Sequence, residues 1–341
     1  MKKQKKLAPY NLRPITVLVT GGAGFIGSHL CEKLLHLGHK VVCVDNFNTY
    51  YDPRIKWQNI KDLRKHPNFV LHKADIRDTK KIFKIFRKYS AEKDRELTAV
   101  IHLAARAGVR PSLNDPLLYE DVNIKGTLNI LEACRQYKVK KLIFGSSSSV
   151  YGNNKKIPFS ETDPVDDPIS PYAATKKAGE LLCYNYHHLY GLPVVCLRFF
   201  TVYGPKQRPE MAIHKFIRTI DQCNTLVKYG KGDTSRDYTY VEDIINGIIA
   251  ALNKKLAFEI INLGNSKTIT LSKLIQTIEK NMHKKARIKQ LPEQPGDVKR
   301  TFANISKAKK LLGYRPHTDI STGIKNTIAW YYAQGKNQLP L

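Results

Sequence analysis

Short β-branched runs alternate with amphipathic stretches through the first part of the chain. "ITVLVT" (15–20) reads as a buried strand, "FIGSHLCEKLLHLG" (25–38) as a helix and "KVVCVD" (40–45) as a second strand, the start of a parallel sheet. Further strands are expected over "NFVLHKAD" (68–75), "TAVIHLAA" (98–105), "KLIFGSS" (141–147) and "PVVCLRFF" (193–200). Helices are expected over "NIKGTLNILEACRQY" (123–137) and around 172–190. The pattern predicts a doubly wound α/β domain over residues 1–200. From about Thr201 the alternation weakens, Pro, Gly and charge increase, and the segments look like helices with short strands. "EIINLG" (259–264) still reads as a sheet strand, so the smaller, mostly helical lobe of 201–341 is expected to send its chain back to the first domain. No internal repeat is visible.

Composition narrows this picture. With 341 residues, 42% of them hydrophobic, the chain can bury a substantial core. No apolar run reaches the roughly 18 residues of a membrane helix, and the basic opening "MKKQKKLAPYNLRP" is followed by no apolar leader, so a cytoplasmic protein with no membrane partner is expected. Cys31, Cys43, Cys134, Cys183, Cys196 and Cys223 form no C-x-x-C pair or metal-ligand spacing and lie in apolar stretches. They read as buried thiols in a reducing compartment, with no metal. The net charge of +28 would attract polyanions. The lysines, however, are spread over "MKKQKK", "DTKKIFKIFRK", "MHKKARIK" and "SKAKK", with no groove-reading or RNA-binding motif among them. This is a solvated Lys-rich surface, and no specific nucleic-acid partner is expected.

Two motifs carry chemistry. "TGGAGFIGSHL" satisfies G-x-G-x-x-G through Gly22, Gly24 and Gly27, and G-x-x-G-x-x-G through Gly21, Gly24 and Gly27. After a strand and at the head of a helix, such glycines let the backbone approach a pyrophosphate at the positive helix N-terminus. Asp45 ends the second strand, where a carboxylate bonds the adenosine ribose hydroxyls and repels a 2′-phosphate, so NAD is favoured over NADP. Asp75 ends the third strand beside the adenine, or starts a turn. The second motif, "PYAATKKAGELL", puts Tyr172 and Lys176 four residues apart on one helix face. An ammonium beside a phenol favours phenolate and makes Tyr172 a usable base.

Together with "VTGGAGFIG", "DNFN", "HLAA", "SSSSVYG", "YAATK", "RDYTYVEDI" and "GDV", these motifs resemble the extended short-chain dehydrogenase/reductases of the nucleotide-sugar epimerase and dehydratase group, over nearly the whole chain. The resemblance implies a Rossmann-type fold and Ser147, Tyr172 and Lys176 as the catalytic set. It also implies NAD contacts at Gly21, Gly24, Phe25, Ile26, Gly27, Asp45, Asn46, Asp75, Ile76, Leu103, Ala104, Ala105, Tyr172 and Lys176. Asn123 would support the lysine's neighbourhood through its helix. Relatives that dehydrate 4-keto sugars or decarboxylate UDP-glucuronate carry Asp or Glu in the strand-end motif before V-Y-G; here Ser147, Ser148 and Ser149 stand there. Hydroxyls are poor acids or bases for elimination, which leaves hydride removal and return at C4.

"RFFTVYGPKQRPEMAIHKF", "ARAGVRPSLNDPLLY" and "YYDPRIK" are most similar to UDP-glucuronate 4-epimerases. Thr201 and Arg208 are what a C6 carboxylate needs, with Ser148 and Ser149 beside them and Arg110 as a second cation; each Arg also has a surface or dimer reading. By the same match Arg236 binds phosphate, Tyr229 stacks on uracil or packs in the core, and Asp297 contacts substrate. Gln294 departs from the Arg that galactose epimerases often carry. The expectation is an NAD-dependent isomerase of UDP-glucuronate and UDP-galacturonate, a homodimer by resemblance. A UDP-glucose or UDP-N-acetylglucosamine 4-epimerase is the second enzyme reading, and a dinucleotide-sensing binding protein the non-catalytic one.

Overall fold

Seven of the apolar segments form one sheet: β1 (Thr16–Thr20), β2 (Lys40–Asp45), β3 (Phe69–Lys73), β4 (Leu97–His102), β5 (Lys141–Ser147), β6 (Val194–Phe199) and β7 (Phe258–Leu263). The computed structural model describes residues 14–91, 96–292 and 298–334. Strand order is β7-β6-β5-β4-β1-β2-β3 and every pairing is parallel. Five helices flank it: α1 (Phe25–His36), α2 (Thr79–Ser90), α3 (Gly126–Gln136), α4 (Pro171–Tyr190) and α5 (Val241–Asn253).

Strand periodicity divides the core in two. Val17 and Val19 join the apolar layer under α1 and α5, whereas Leu18 between them joins the layer under α2, α3 and α4. Helix α2 lies in "DTKKIFKIFRK", which reads in the sequence as a charge run. Its Ile82, Ile85, Phe86 and Tyr89 recur at helical spacing and are buried, and the Asp78 carboxylate caps it by accepting from Lys81 N at 3.0 Å. Helix α4 starts at a Ser170 cap and ends at Gly191, which takes φ 67°. None of the described helices is long and apolar enough to cross a membrane.

Beyond Thr201, α5 and β7 return to the sheet, and the intervening segments build short parallel pairs, Thr201–Tyr203 with Tyr238–Tyr240 and Thr225–Tyr229 with Arg287–Leu291. The apolar layer under α1 and α5 runs on into helices Ala212–Asp221, Leu271–Met282 and Ile320–Ala333 without a break at residue 200. Asp237 knots this region: its carboxylate accepts from the amides of Asn265 (2.8 Å), Ser266 (3.0 Å) and Ala303 (3.1 Å), and burial raises its carboxyl to about 6. Five cysteines are buried thiols, but Cys223 is exposed. It occupies a left-handed turn (φ 55°) just past the helix, where the chain leaves the core.

One buried ion pair ties helix to sheet. Arg198 on β6 donates through Nε and Nη2 to the two carboxylate oxygens of Glu180 on α4, both at 2.8 Å, with each side chain 1% exposed. Ser146 Oγ donates to the same carboxylate at 2.6 Å. Removing one partner of such a pair strands the other in a dry interior. Arg198→Met should therefore destabilise the fold by about 3–5 kcal/mol in urea unfolding, and adding Glu180→Gln should restore part of the loss. A loss below about 1 kcal/mol would show that the pair is not structural.

Candidate active site

The order of strands reverses between β1 and β4, and a crevice at the carboxyl ends of such strands is where α/β sheets bind ligands. A cleft of about 380 Å³ opens there. It is lined at one end by Gly21, Gly24, Phe25, Ile26, Gly27, Asp45, Asn46 and Ile76, along its floor by Leu103, Ala104 and Ala105, and at the other end by Ser147, Ser148, Ser149, Tyr172, Lys176, Thr201 and Arg208. Residues far apart in the chain are thus brought into one site.

At the glycine end, the turn has no room for side chains. Gly21 has φ +69°, and a Cβ there would stand 2.9 Å from Ala104 N; a Cβ on Gly27 would lie 2.1 Å from Gly21 O. Helix α1 begins on Gly24 with no side-chain cap and no acid in its first turn, so its positive end is left to an external anion. These features fit a dinucleotide diphosphate.

A hydrogen-bond relay fixes the floor. Thr20 Oγ1 accepts from the amides of Leu103 and Ala104, both at 3.1 Å, so its own proton goes to His102 Nδ1 at 2.7 Å. His102 Nε2–H then donates to Thr127 Oγ1 at 3.1 Å, and burial holds the imidazole neutral, lowered to about 3. Neither Thr20 nor His102 stands out in the sequence, because their role is apparent only once β1 and β4 are adjacent.

Asp45 is 5% exposed and already engaged, accepting from Ala23 N (3.2 Å) and Phe47 N (2.9 Å) and pairing with Lys56 Nζ at 3.3 Å. Asp75 adopts the turn geometry: its carboxylate accepts from Arg77 N at 2.9 Å, from the Arg77 guanidinium and from Asn46 Nδ2. Ala74 and Ile76 on either side of it line the cleft. Asn123 lies in one turn of π-helix (Asp121–Lys125), an irregularity common at functional sites. Its side-chain amide bonds both backbone groups of Arg106 and donates to Thr175 Oγ1 at 3.0 Å, next to Lys176.

At the reacting end, Ser147 caps the helical turn Ser148–Tyr151, accepting from Ser149 N at 3.1 Å. Burial pushes the Tyr172 phenol above its ordinary value, and its hydrogen bond with Ser147 and the Arg208 guanidinium pull it back down. Lys176, which the sequence casts as the cation lowering that phenol, donates from Nζ to Gly145 O at 2.7 Å, and burial lowers it to about 8. Arg208 therefore joins Ser147 in favouring phenolate. Arg208 Nε is oriented by Glu210 at 3.1 Å. The one acid lining this cleft among the described residues is Asp45, at the opposite end and tied to Lys56.

Tyr229 and Arg236 line a second cavity of about 320 Å³ in the lobe, with Lys215, Glu210 and Lys299. Arg110 is found there too, its guanidinium carbon 5.3 Å from the Tyr229 ring centre, whereas Thr201 and Arg208 line the first cleft. Asp297 lies outside the described residues.

Comparison with known proteins agrees with this geometry. The family described as GDP-mannose 4,6 dehydratase matches residues 18–327. The UDP-glucuronate 4-epimerase of Thermodesulfobacterium geofontis is 48% identical over 314 residues, 92% of this chain and 95% of that protein. The crystal structure of the Bacillus cereus UDP-glucuronic acid 4-epimerase with UDP-glucuronic acid and NAD is 38% identical. It covers 94% of this chain and 100% of its own, with a TM-score of 0.88. A UDP-N-acetylglucosamine 4-epimerase from Methanobrevibacter ruminantium, 34% identical, covers 95% of this chain and all of its own, with a TM-score of 0.86. With its glycine turn, its serine strand end and its Tyr172 and Lys176 face all inside the matched span, the chain belongs to the GDP-mannose 4,6 dehydratase family.

Proposed function

We propose that the protein interconverts UDP-glucuronate and UDP-galacturonate by NAD-dependent 4-epimerisation. The observation that carries this reading is that, among the described residues, no Asp or Glu lines the reacting end of the cleft, where Ser147, Ser148 and Ser149 line it with Tyr172 and Arg208. Elimination of water needs an acid and base pair there, whereas hydride transfer out and back needs one base at O4. Bound NAD supplies the hydride acceptor and donor chemistry. Tyr172 as phenolate removes the O4 proton and returns it after the sugar has turned over, and Ser147 holds O4. The Gly21 to Gly27 turn and the α1 N-terminus hold the dinucleotide diphosphate, and Asp45 faces the ribose. Arg236 and Tyr229 receive the uridine diphosphate in the second cavity.

A uronate adds a hazard, because its 4-keto form has a ketone β to the carboxylate and loses carbon dioxide readily. Thr201, Ser148, Ser149 and Arg208 restrain that carboxylate by pre-organised hydrogen bonds and charge. The exposed apolar residues Leu128 on α3, Leu181 and Tyr184 on α4 and Leu117 nearby support a second copy of this chain as their cover. Sedimentation of the purified protein as a monomer would remove that reading.

The purified protein incubated with UDP-glucuronate should yield UDP-galacturonate by NMR, with no pentose product, and should leave UDP-glucose and UDP-N-acetylglucosamine largely unconverted. Tyr172→Phe should retain NAD and lose at least about a hundredfold in kcat. Conversion of the neutral sugars alone would overturn the uronate assignment, and near-parental turnover by Tyr172→Phe would overturn the base. Since Arg208 favours phenolate, Arg208→Gln should raise the phenol's pKa. The rising limb of log kcat/KM against pH should then move to higher pH. An unmoved limb would show that Arg208 does not act on Tyr172.

A further inference from the structure

Two guanidiniums share one aromatic ring in the cleft. The guanidinium carbon of Arg106 stands 4.3 Å and that of Arg208 5.4 Å from the Tyr50 ring centre, and all three residues line the cleft. Hydrogen bonds tie down the ring and the Arg106 backbone. Tyr50 and Tyr119 both donate their phenolic protons to Ala107 O at 2.7 Å, and the Asn123 amide accepts from Arg106 N at 2.7 Å and donates to Arg106 O at 3.0 Å.

Charge at this end is not balanced. Arg208 has Glu210 at its Nε, leaving the far side of its fork for another partner. Arg106 has no carboxylate partner among the described residues, and its buried Nε–H has no acceptor. Asp45, the acid that lines the cleft, is taken by Lys56. Arg106 and Arg208 share one counter-charge, and Lys176 lines the same end, so positive charge is left partly out of water, a state that costs free energy until an anion arrives.

We propose that Arg106 is a specificity-determining residue that receives the sugar carboxylate together with Arg208. A carboxylate has acceptor sites for two guanidiniums and supplies negative charge where Arg106 has none. A neutral hexose leaves Arg106 as unpaired as it is in the free protein, so the group that strengthens uronate binding gives UDP-glucose nothing. The dinucleotide diphosphate is the other anion expected in the cleft, but the α1 N-terminus and the Gly21 turn face it at the opposite end. Arg106 belongs instead to the Tyr50 and Tyr119 cluster, and Tyr119 meets Tyr172 edge-on at 6.2 Å. This role falls to Arg106 because Arg110, the second cation suggested by the sequence, lies over Tyr229 in the other cavity.

The inference rests on the uronate reading above, and one experiment separates the two. Dissociation constants for UDP-glucuronate, UDP-glucose and UDP would be measured by calorimetry on the NAD-loaded protein, on Arg106→Gln and on Arg106→Lys, with NAD content determined for each. Arg106→Gln should weaken UDP-glucuronate by about 10- to 100-fold, the scale of one lost charge-assisted bond, and change UDP-glucose and UDP by less than about threefold. Arg106→Lys should recover part of the loss, and NAD content should stay at the parental level. Equal weakening of all three ligands would make Arg106 a structural support, loss of NAD would assign it to the cofactor, and unchanged binding would remove it from the site. Each of these overturns the proposal. A parental protein that binds UDP-glucuronate no better than UDP-glucose would instead overturn the uronate reading itself.

Discussion

Glu180 and Arg198 face each other in an interior with no water to stabilise either charge, and that constraint fixes the reacting end of the cleft. Glu180 lies four residues beyond Lys176 and eight beyond Tyr172, so all three occupy one face of α4. Arg198 stands directly opposite Ser146 in the β5 and β6 register, and Ser147 opposite Phe199. Clamping Glu180 between Arg198 and Ser146 therefore sets the height of α4 over the strand end. A slip of one residue in β5 would send Ser147 to the other face of the sheet and take Ser146 off the Glu180 carboxylate. The influence of Ser147 on the Tyr172 phenol follows from the fixed distance between helix and strand. Arg198 also lies over the Tyr151 ring at 4.8 Å, and Tyr151 donates to Asn262 on β7 at 2.8 Å, which extends the clamp to the segment returning from the second lobe.

On this frame the charges separate along the cleft. Asp45 and Lys56 neutralise each other at the glycine end, where the uncapped α1 N-terminus is left for an anion. Arg106 and Arg208 gather at the other end over the Tyr50 ring, and Arg208 acts there on the buried Tyr172 phenol that burial alone would keep protonated. The neutral floor between them is secured by Thr20 and His102, whose tautomer follows from counting lone pairs at one hydroxyl. A charged imidazole there would add to the positive field around Lys176. Positive charge at both ends, with a single phenol base at the reacting end, suits an oxidation reversed at the same carbon.

The parallel sheet and the cleft were legible in the sequence because both depend on local pattern: continuous apolar strands, glycines between strand and helix, and Tyr172 four residues from Lys176. What escaped depends on pairs distant in the chain. Arg106 lies one residue past "HLAA" and has no signal of its own; its meaning comes from Tyr50, brought beside it by the loop after β2. Arg110 fits the substrate pattern in sequence, but helix Val109–Asn114 carries it toward the second cavity. Helix α2 was hidden because five basic residues mask an apolar stripe of four. Cys223 looked apolar in context but falls on a left-handed turn.

On the proposed function, hydride leaves C4 and returns to C4 in a cleft whose reacting end is lined by no Asp or Glu among the described residues. UDP-glucuronate carrying deuterium at C4 tests it most directly, with the product followed by NMR in ordinary water. The expected product is UDP-galacturonate that keeps the deuterium at C4, with no label lost to solvent and no decarboxylated sugar. Washout of the label, or its appearance at another carbon, would contradict hydride return and with it the reading of the serine strand end.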